Sequence, residues 1–440
     1  MAGGDITATA QPGGTAIITT GNVNVDVKEI VDSLVKAHER QLLGFRDREQ
    51  AYQEQVKALT GAVTALSQRE GSGITDAVTQ LQQGNTKAAE IIFQDILTRK
   101  AAEGAAANQQ AAEAARHLGA LAFLHNTEKA LHAYRQAVNL DPENTEGWTQ
   151  LGHLLLRTGQ LDDAADAYSK TLTLGEKASN RSLIASAYGN LGIVYKIRGD
   201  FTQAETMHRR ALKLYEVLGQ KEGMASTYGN LGNVYRLQGD LIQAETMYRQ
   251  ALELHEALGH KEGIASSYSN LGVVYLTRGD YTQAETMFHK ALKLDEALGH
   301  KEGMATRYSN LGFVYRLLGD RAQGETMHRQ ALKLYEGIGN KVGIANEYGN
   351  LGDTYGALDD LTQAETMHRQ ALELHETLGH KEGMAKAYVG LGNVYRVRGE
   401  LTQAEIMYYK GLTLFQEIGA SPRVNRVQEL LRTLHTQRSP

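Results

Sequence analysis

The sequence predicts an all-α protein assembled from stacked helix pairs, and three observations carry that expectation. Residues 182–422 repeat every 40 residues: Asn-Leu-Gly recurs at 190–192, 230–232, 270–272, 310–312 and 350–352, and becomes Gly-Leu-Gly at 390–392. No insertion breaks the period across six copies. Within each copy the apolar positions follow helical rather than alternating spacing. Only four prolines occur in 440 residues, which suits long helices, because proline lacks the amide hydrogen a helix interior needs. A period this strict specifies one supersecondary unit, stacked so that neighbouring copies bury a continuous core.

The second copy, from Met224 to Gly263, shows how the unit is built. Its first helix is expected from about Ala225 to Gln238, with Tyr228, Leu231, Gly232, Val234 and Tyr235 on the inner side. Gly239-Asp240 should end that helix and cap the next, glycine by adopting the left-handed backbone and aspartate by accepting from the new amides. The second helix is expected from Leu241 to Leu258, with Ala244, Met247, Tyr248, Ala251 and Leu252 inward. Residues 259–263 read as an outer turn. Gly232 and Ala251 are small so that the helices can approach closely. The repeated Asp and Glu residues are read as caps at helix starts.

The order Leu-Gly, aromatic, Gly, then Ala, aromatic, Ala at fixed offsets resembles the tetratricopeptide repeat, across roughly residues 73–422. The 40-residue form is similar to the repeats of kinesin light chains, of Pins-type scaffolds and of many bacterial proteins. Residues 145–178 instead follow the 34-residue form, through Trp148, Leu151, Gly152, Gly159, Ala164 and Tyr168. The resemblance implies a right-handed superhelical solenoid. It also implies that the first helix of each pair lines a concave face, and that the chain serves as a scaffold or adaptor.

Taken in order, residues 1–26 form a Gly- and Thr-rich segment with a Pro12-Gly13-Gly14 turn signal. Ile6, Ala8 and Ala10 alternate before it, and Ile17, Ile18, Val23, Val25 and Val27 follow. Two readings stand, a short β-hairpin and an unstructured tail. Residues 27–70 read as one long helix with a heptad pattern. Its a and d positions include Val35, Leu42, Phe45, Tyr52, Val56, Leu59, Val63 and Leu66, interrupted by His38 and Glu49. Self-association through this helix, giving a dimer or larger homo-oligomer, is one reading; packing onto the first repeats is the other. About three irregular repeats are expected over 73–178, the six regular copies over 182–422, and a capping helix with a short tail over 424–440.

Composition narrows function. A net charge of −5 argues against an electrostatic grip on nucleic acid or anionic membrane. The absence of cysteine excludes disulfide and thiol chemistry and fits a reducing, cytoplasmic setting. No stretch is apolar enough to span a membrane, and MAGGDITATA has no signal-peptide pattern. No catalytic, cofactor or metal motif stands out. His260, His300 and His380 recur in the outer turn, too far apart to share one metal, and read as solvated. His208, His328 and His368 take a place that is Tyr or Phe in other copies and read as packed between helices.

A peptide- or protein-binding role is the expectation, with no enzymatic activity. The series Asn190, Asn230, Asn270, Asn310 and Asn350 falls on the implied concave face. An amide carries donor and acceptor together and can bond the backbone of an extended peptide of any sequence. The competing reading has each Asn bonding its neighbouring helix. Selectivity is assigned to the basic row Lys196, Arg236, Arg316 and Arg396, and to the variable row containing Asn233 and Phe313. The resemblance also implies what is missing. Chaperone-tail clamps carry Lys one residue before the Asn, where this chain has Gly189, Gly229, Ser269, Ser309 and Gly349. Two other functional classes remain open: a self-assembling ring or filament using the N-terminal segment, and a regulatory subunit of a bacterial signalling or defence system.

Overall fold

The computed structural model describes residues 17–20, 23–26, 76–77, 80, 86–102, 105–123 and 126–438. The helix expected over 27–70, and all eight of its proposed oligomerisation residues, lie outside the described residues. Near the N-terminus β1 (Ile17–Thr20) pairs antiparallel with β2 (Val23–Asp26), Thr20 opposite Val23 and Ile17 opposite Asp26. Both strands follow the Pro12-Gly13-Gly14 signal. Only Gly21 and Asn22 separate them, a short glycine-bearing connection of the kind two-residue hairpins use.

The other described elements are helices. The irregular part comprises α1 (Thr86–Ala102), α2 (Ala105–Ala122), α3 (Thr127–Leu140), α4 (Thr145–Arg157) and α5 (Leu161–Lys177). The regular copies follow as α6 (Arg181–Arg198) with α7 (Phe201–Leu218), α8 (Lys221–Gln238) with α9 (Leu241–Leu258), and α10 (Lys261–Arg278) with α11 (Tyr281–Leu298). They continue with α12 (Lys301–Leu318) and α13 (Arg321–Ile338), α14 (Lys341–Ala357) and α15 (Leu361–Thr377), and α16 (Lys381–Val397) and α17 (Leu401–Glu417). A final helix, α18 (Ser421–Arg438), buries Val427, Leu431 and Leu434 in the same cluster as Tyr408 and Phe415. The chain divides into two compact units, Met1–Val234 and Tyr235–Pro440, the division falling within α8.

Turn chemistry sets the helix boundaries. Gly199, Gly239, Gly279 and Gly319 all take positive φ, between 81° and 91°. Asp200, Asp240, Asp320 and Asp360 each accept from the backbone amide three residues on, at 3.0 Å. The outer turn is shorter than the sequence reading has it. Only Gly259 and His260 separate α9 from α10, and Lys261, Glu262 and Gly263 form the first helical turn. Gly263 is glycine for closeness rather than for φ: a Cβ there would lie 2.3 Å from the His255 ring.

One buried slot recurs through the array. At Gly119, Gly152, Gly192, Gly272, Gly312, Gly352 and Gly392 the glycine of the Leu-Gly pair lies beneath a ring from the second helix of its own repeat. A Cβ on Gly272 would meet Phe288 at 2.6 Å, and one on Gly392 would meet Tyr408 at 2.6 Å. Tyr134, Tyr168, Phe288 and Tyr408 fill this slot at 0–1% exposure, each burial contributing about 2–3 kcal/mol of hydrophobic stabilisation. His208, His328 and His368 occupy the same place, buried between helices.

Candidate binding face of the first helices

Two sides of α10, α12, α14 and α16 are covered, one by the partner helix and one by the second helix of the preceding repeat. On these helices of the unit Tyr235–Pro440 the candidate residues Asn270, Asn310, Asn350, Arg316 and Arg396 are all half-buried. On α10 and α12, Asn270 and Asn310 are half-buried, and among the described residues their amides make no hydrogen bond. Both would offer a donor and an acceptor to a ligand backbone.

Asn350 on α14 behaves differently. Its Nδ2 donates to Glu347 Oε1 at 3.1 Å and to Ser309 Oγ at 3.4 Å. Glu347 is 1% exposed. It also accepts from Ser309 Oγ at 2.5 Å and pairs with His328 Nδ1 at 2.8 Å. A buried carboxylate needs several donors, and Asn350 supplies one. In the other unit Asn190 is buried, and Asn230 and Asn233 are half-buried with partners of their own. The five asparagines therefore do not form one uniform row.

The basic row also divides. Burial pushes the Tyr248 hydroxyl up to about 12, against the pull of Arg236 beside it. Arg396 stands in the same relation to Tyr408, whose hydroxyl donates to Asn393 Oδ1 at 2.8 Å. In the first unit, Lys196 adds its charge to the burial that drives His208 down to about 3. Arg316 has no tyrosine beneath it, because His328 fills that slot. Its guanidinium lies over the Phe313 ring, 4.8 Å from the centroid, and Phe313 is 38% exposed. Phe313 and Arg316 thus form a presented cation–π pair. Beside them, Gly349 and Gly356 border open space, with nothing within 4 Å of an added Cβ.

Reading the repeated Glu residues as caps is wrong for one series. Glu245, in α9, accepts from Arg249, from Tyr275 Oη and from Arg278, at 2.7–2.8 Å. Tyr275 and Arg278 belong to the next repeat. Burial raises the Glu245 carboxyl, but these donors outweigh it and hold it at about 2. Glu325 with Tyr355 and Glu365 with Tyr395 repeat the clasp. The signal was present in the sequence: Glu at one offset and Tyr 30 residues later. Both positions needed to be read across the repeat boundary.

Among the described residues, no group of three or more His, Cys, Asp or Glu converges, and no helix is long and apolar enough to cross a membrane. The geometry defines a helical-repeat array with an accessible first-helix face. Residues 145–216, 223–297 and 303–377, just over half of the chain, match the tetratricopeptide repeat. The chain belongs to the tetratricopeptide repeat family.

No curated protein matches the sequence. Among solved structures the chain is similar to the apo form of the quorum sensor NprR from B. thuringiensis. The two share 15% identity over 79% of this chain and 97% of that one, with a TM-score of 0.54. The apo form of RapI shares 16% identity over 63% of this chain and 99% of that one, at 0.52. A signal transduction ATPase with numerous domains from Pyrococcus horikoshii, which carries a tetratricopeptide repeat sensor, shares 15% identity at 0.57. The match covers 81% of this chain but only 57% of that larger protein. At these identities the likeness is one of fold.

Proposed function

We propose that this chain is a non-enzymatic scaffold or adaptor that holds an extended or helical protein segment on the first-helix face of the unit Tyr235–Pro440. One observation carries the reading. Asn270 and Asn310 stand at equivalent places on successive first helices, half-buried, with their amides unbonded among the described residues. A strictly repeated polar side chain that served only packing would be expected to have a packing partner, as Asn350 has. Phe313 and Arg316, next to this pair, favour a ligand with an apolar side chain followed by a carboxylate, because the guanidinium already lies over an exposed ring. The clamp lysine is absent, and the net charge is slightly negative, so the grip is on backbone and side chains rather than on a terminal carboxylate.

The test is selection of random peptides displayed on phage against the full chain, followed by binding of the enriched peptides to variants. Asn270→Ala with Asn310→Ala is expected to weaken capture at least tenfold, about 1.4 kcal/mol, without loss of helicity. Phe313→Ala is expected to change which side chains are enriched. Selected peptides that bind the double alanine variant as well as the wild type would show the assignment to be wrong.

A further inference from the structure

The turns between repeats carry a second arrangement, away from the proposed binding face. A residue near the end of each second helix faces the residue five places later, which opens the next first helix. Along the regular copies these pairs are Tyr215 and Gln220, His255 and His260, Asp295 and His300, Tyr335 and Asn340, His375 and His380, and Phe415 and Ala420. The two positions change together. Three pairs have His or Asp at both places, and three have neither His nor a carboxylate at either.

In two of these pairs the spacing is that of metal ligands. His255 Nδ1 lies 3.4 Å from His260 Nδ1, and His375 Nδ1 lies 3.2 Å from His380 Nδ1. Two imidazoles on one tetrahedral ion, each at about 2.0–2.1 Å, hold their nitrogens about 3.3 Å apart. The fold sets this spacing. A Cβ on Gly263 or Gly383 would meet the Nδ1 of His255 or His375 at 2.3 Å. Only glycine lets these rings lie against the backbone of the following helix, with Nδ1 beside the partner histidine. The carboxylate of Glu262 approaches the far nitrogen of His260 at 3.5 Å, the outer partner that orients ligand histidines.

We propose that His255 with His260, and His375 with His380, are two bidentate sites for a divalent transition-metal ion of the zinc, nickel or copper class, water completing each shell. In the metal-free state one facing Nδ1–H donates to the other Nδ1; on binding, that ring takes the Nε2–H tautomer, so that both Nδ1 lone pairs face the ion and no net proton is lost. Burial and the charge of the neighbouring histidine hold His255 below the ordinary imidazole range and His375 at about 4. Both rings are therefore neutral, the ligand form, at neutral pH. The third pair is not a site. Asp295 Oδ1 faces His300 Nδ1 at 3.1 Å, but the Arg307 Nε donates to Asp295 Oδ2 at 3.1 Å, and its positive charge repels a cation.

Zn2+ titration of the full chain at pH 7.5, followed by native mass spectrometry and calorimetry, tests this. The wild type is expected to take up two ions. His260→Gln and His380→Asn are each expected to lose one, and the double variant both. Gln220 and Asn340 already occupy these places in sister repeats, so the substitutions suit the fold, and helicity checks it. His300→Asn is expected to keep both ions. A wild type that takes up no Zn2+, or a double variant that takes up as much as the wild type, overturns the proposal.

Discussion

Two adjacent repeats answer one packing problem in different ways. In α10 and α11, Phe288 fills the slot above Gly272; in α12 and α13, His328 fills the slot above Gly312. Phenylalanine needs only contact. A buried imidazole needs hydrogen-bond partners, and His328 draws Glu347 into the interior, which in turn engages Ser309 and Asn350. The choice of ring in the core thereby reaches the surface. It removes Asn350 from the set of free amides and leaves Arg316 lying on Phe313. The other two histidine slots differ again. The Nε2 of His368 lies 3.6 Å from Asp353, whereas neither nitrogen of His208 has a partner among the described residues. Three histidines in equivalent slots thus have three different polar environments.

The largest expected effect breaks the polar solution. Glu347→Ala leaves His328, Ser309 and Asn350 without their shared acceptor, and about 3 kcal/mol of stability is expected to be lost. Urea unfolding followed by circular dichroism reads that loss. The double change His328→Phe with Glu347→Leu converts the slot to the apolar solution and is expected to recover most of it. Failure of that rescue would mean the network does more than satisfy one ring.

A smaller effect tests the slot itself. Gly272→Val should cost about 1–3 kcal/mol, because its Cβ would sit 2.6 Å from the Phe288 ring. Gly349→Ala, facing open space, should instead gain up to about 1 kcal/mol through helix propensity. Equal outcomes for the two would contradict the packing account.

The smallest effect at neutral pH concerns His208. Burial, with Lys196 adding to it, puts its folded pKa at about 3 against an ordinary value of 6.5. The unfolded chain therefore takes up the proton first. The stability this residue supports is complete above about pH 6.5 and is lost as pH falls towards 3, at up to about 1.4 kcal/mol per pH unit. His208→Phe is expected to add about 1 kcal/mol at pH 7 by removing two unpartnered nitrogens. It should also flatten the acid decline of the unfolding midpoint. An unchanged pH profile would show that the ring finds partners as the pH falls.

The 40-residue period, the helix pairing, the Gly-Asp turns and the need for a small residue at the Leu-Gly glycine were all legible in the sequence, as was the packing of His208, His328 and His368. Each depends on residues close in the chain or on a strict repeat, so spacing alone carries the information. Three matters were decided only by tertiary structure: which asparagines are free, where Arg316 lies, and that His255 faces His260 across a glycine backbone. Equivalent positions in a repeat look identical in sequence, but a hydrogen bond depends on the particular donors and acceptors within about 3 Å. Those neighbours come from residues 20–40 positions away, on helices whose facing sides are set by packing. A repeated residue has a repeated place, and its chemistry there belongs to whatever the adjacent copy puts beside it.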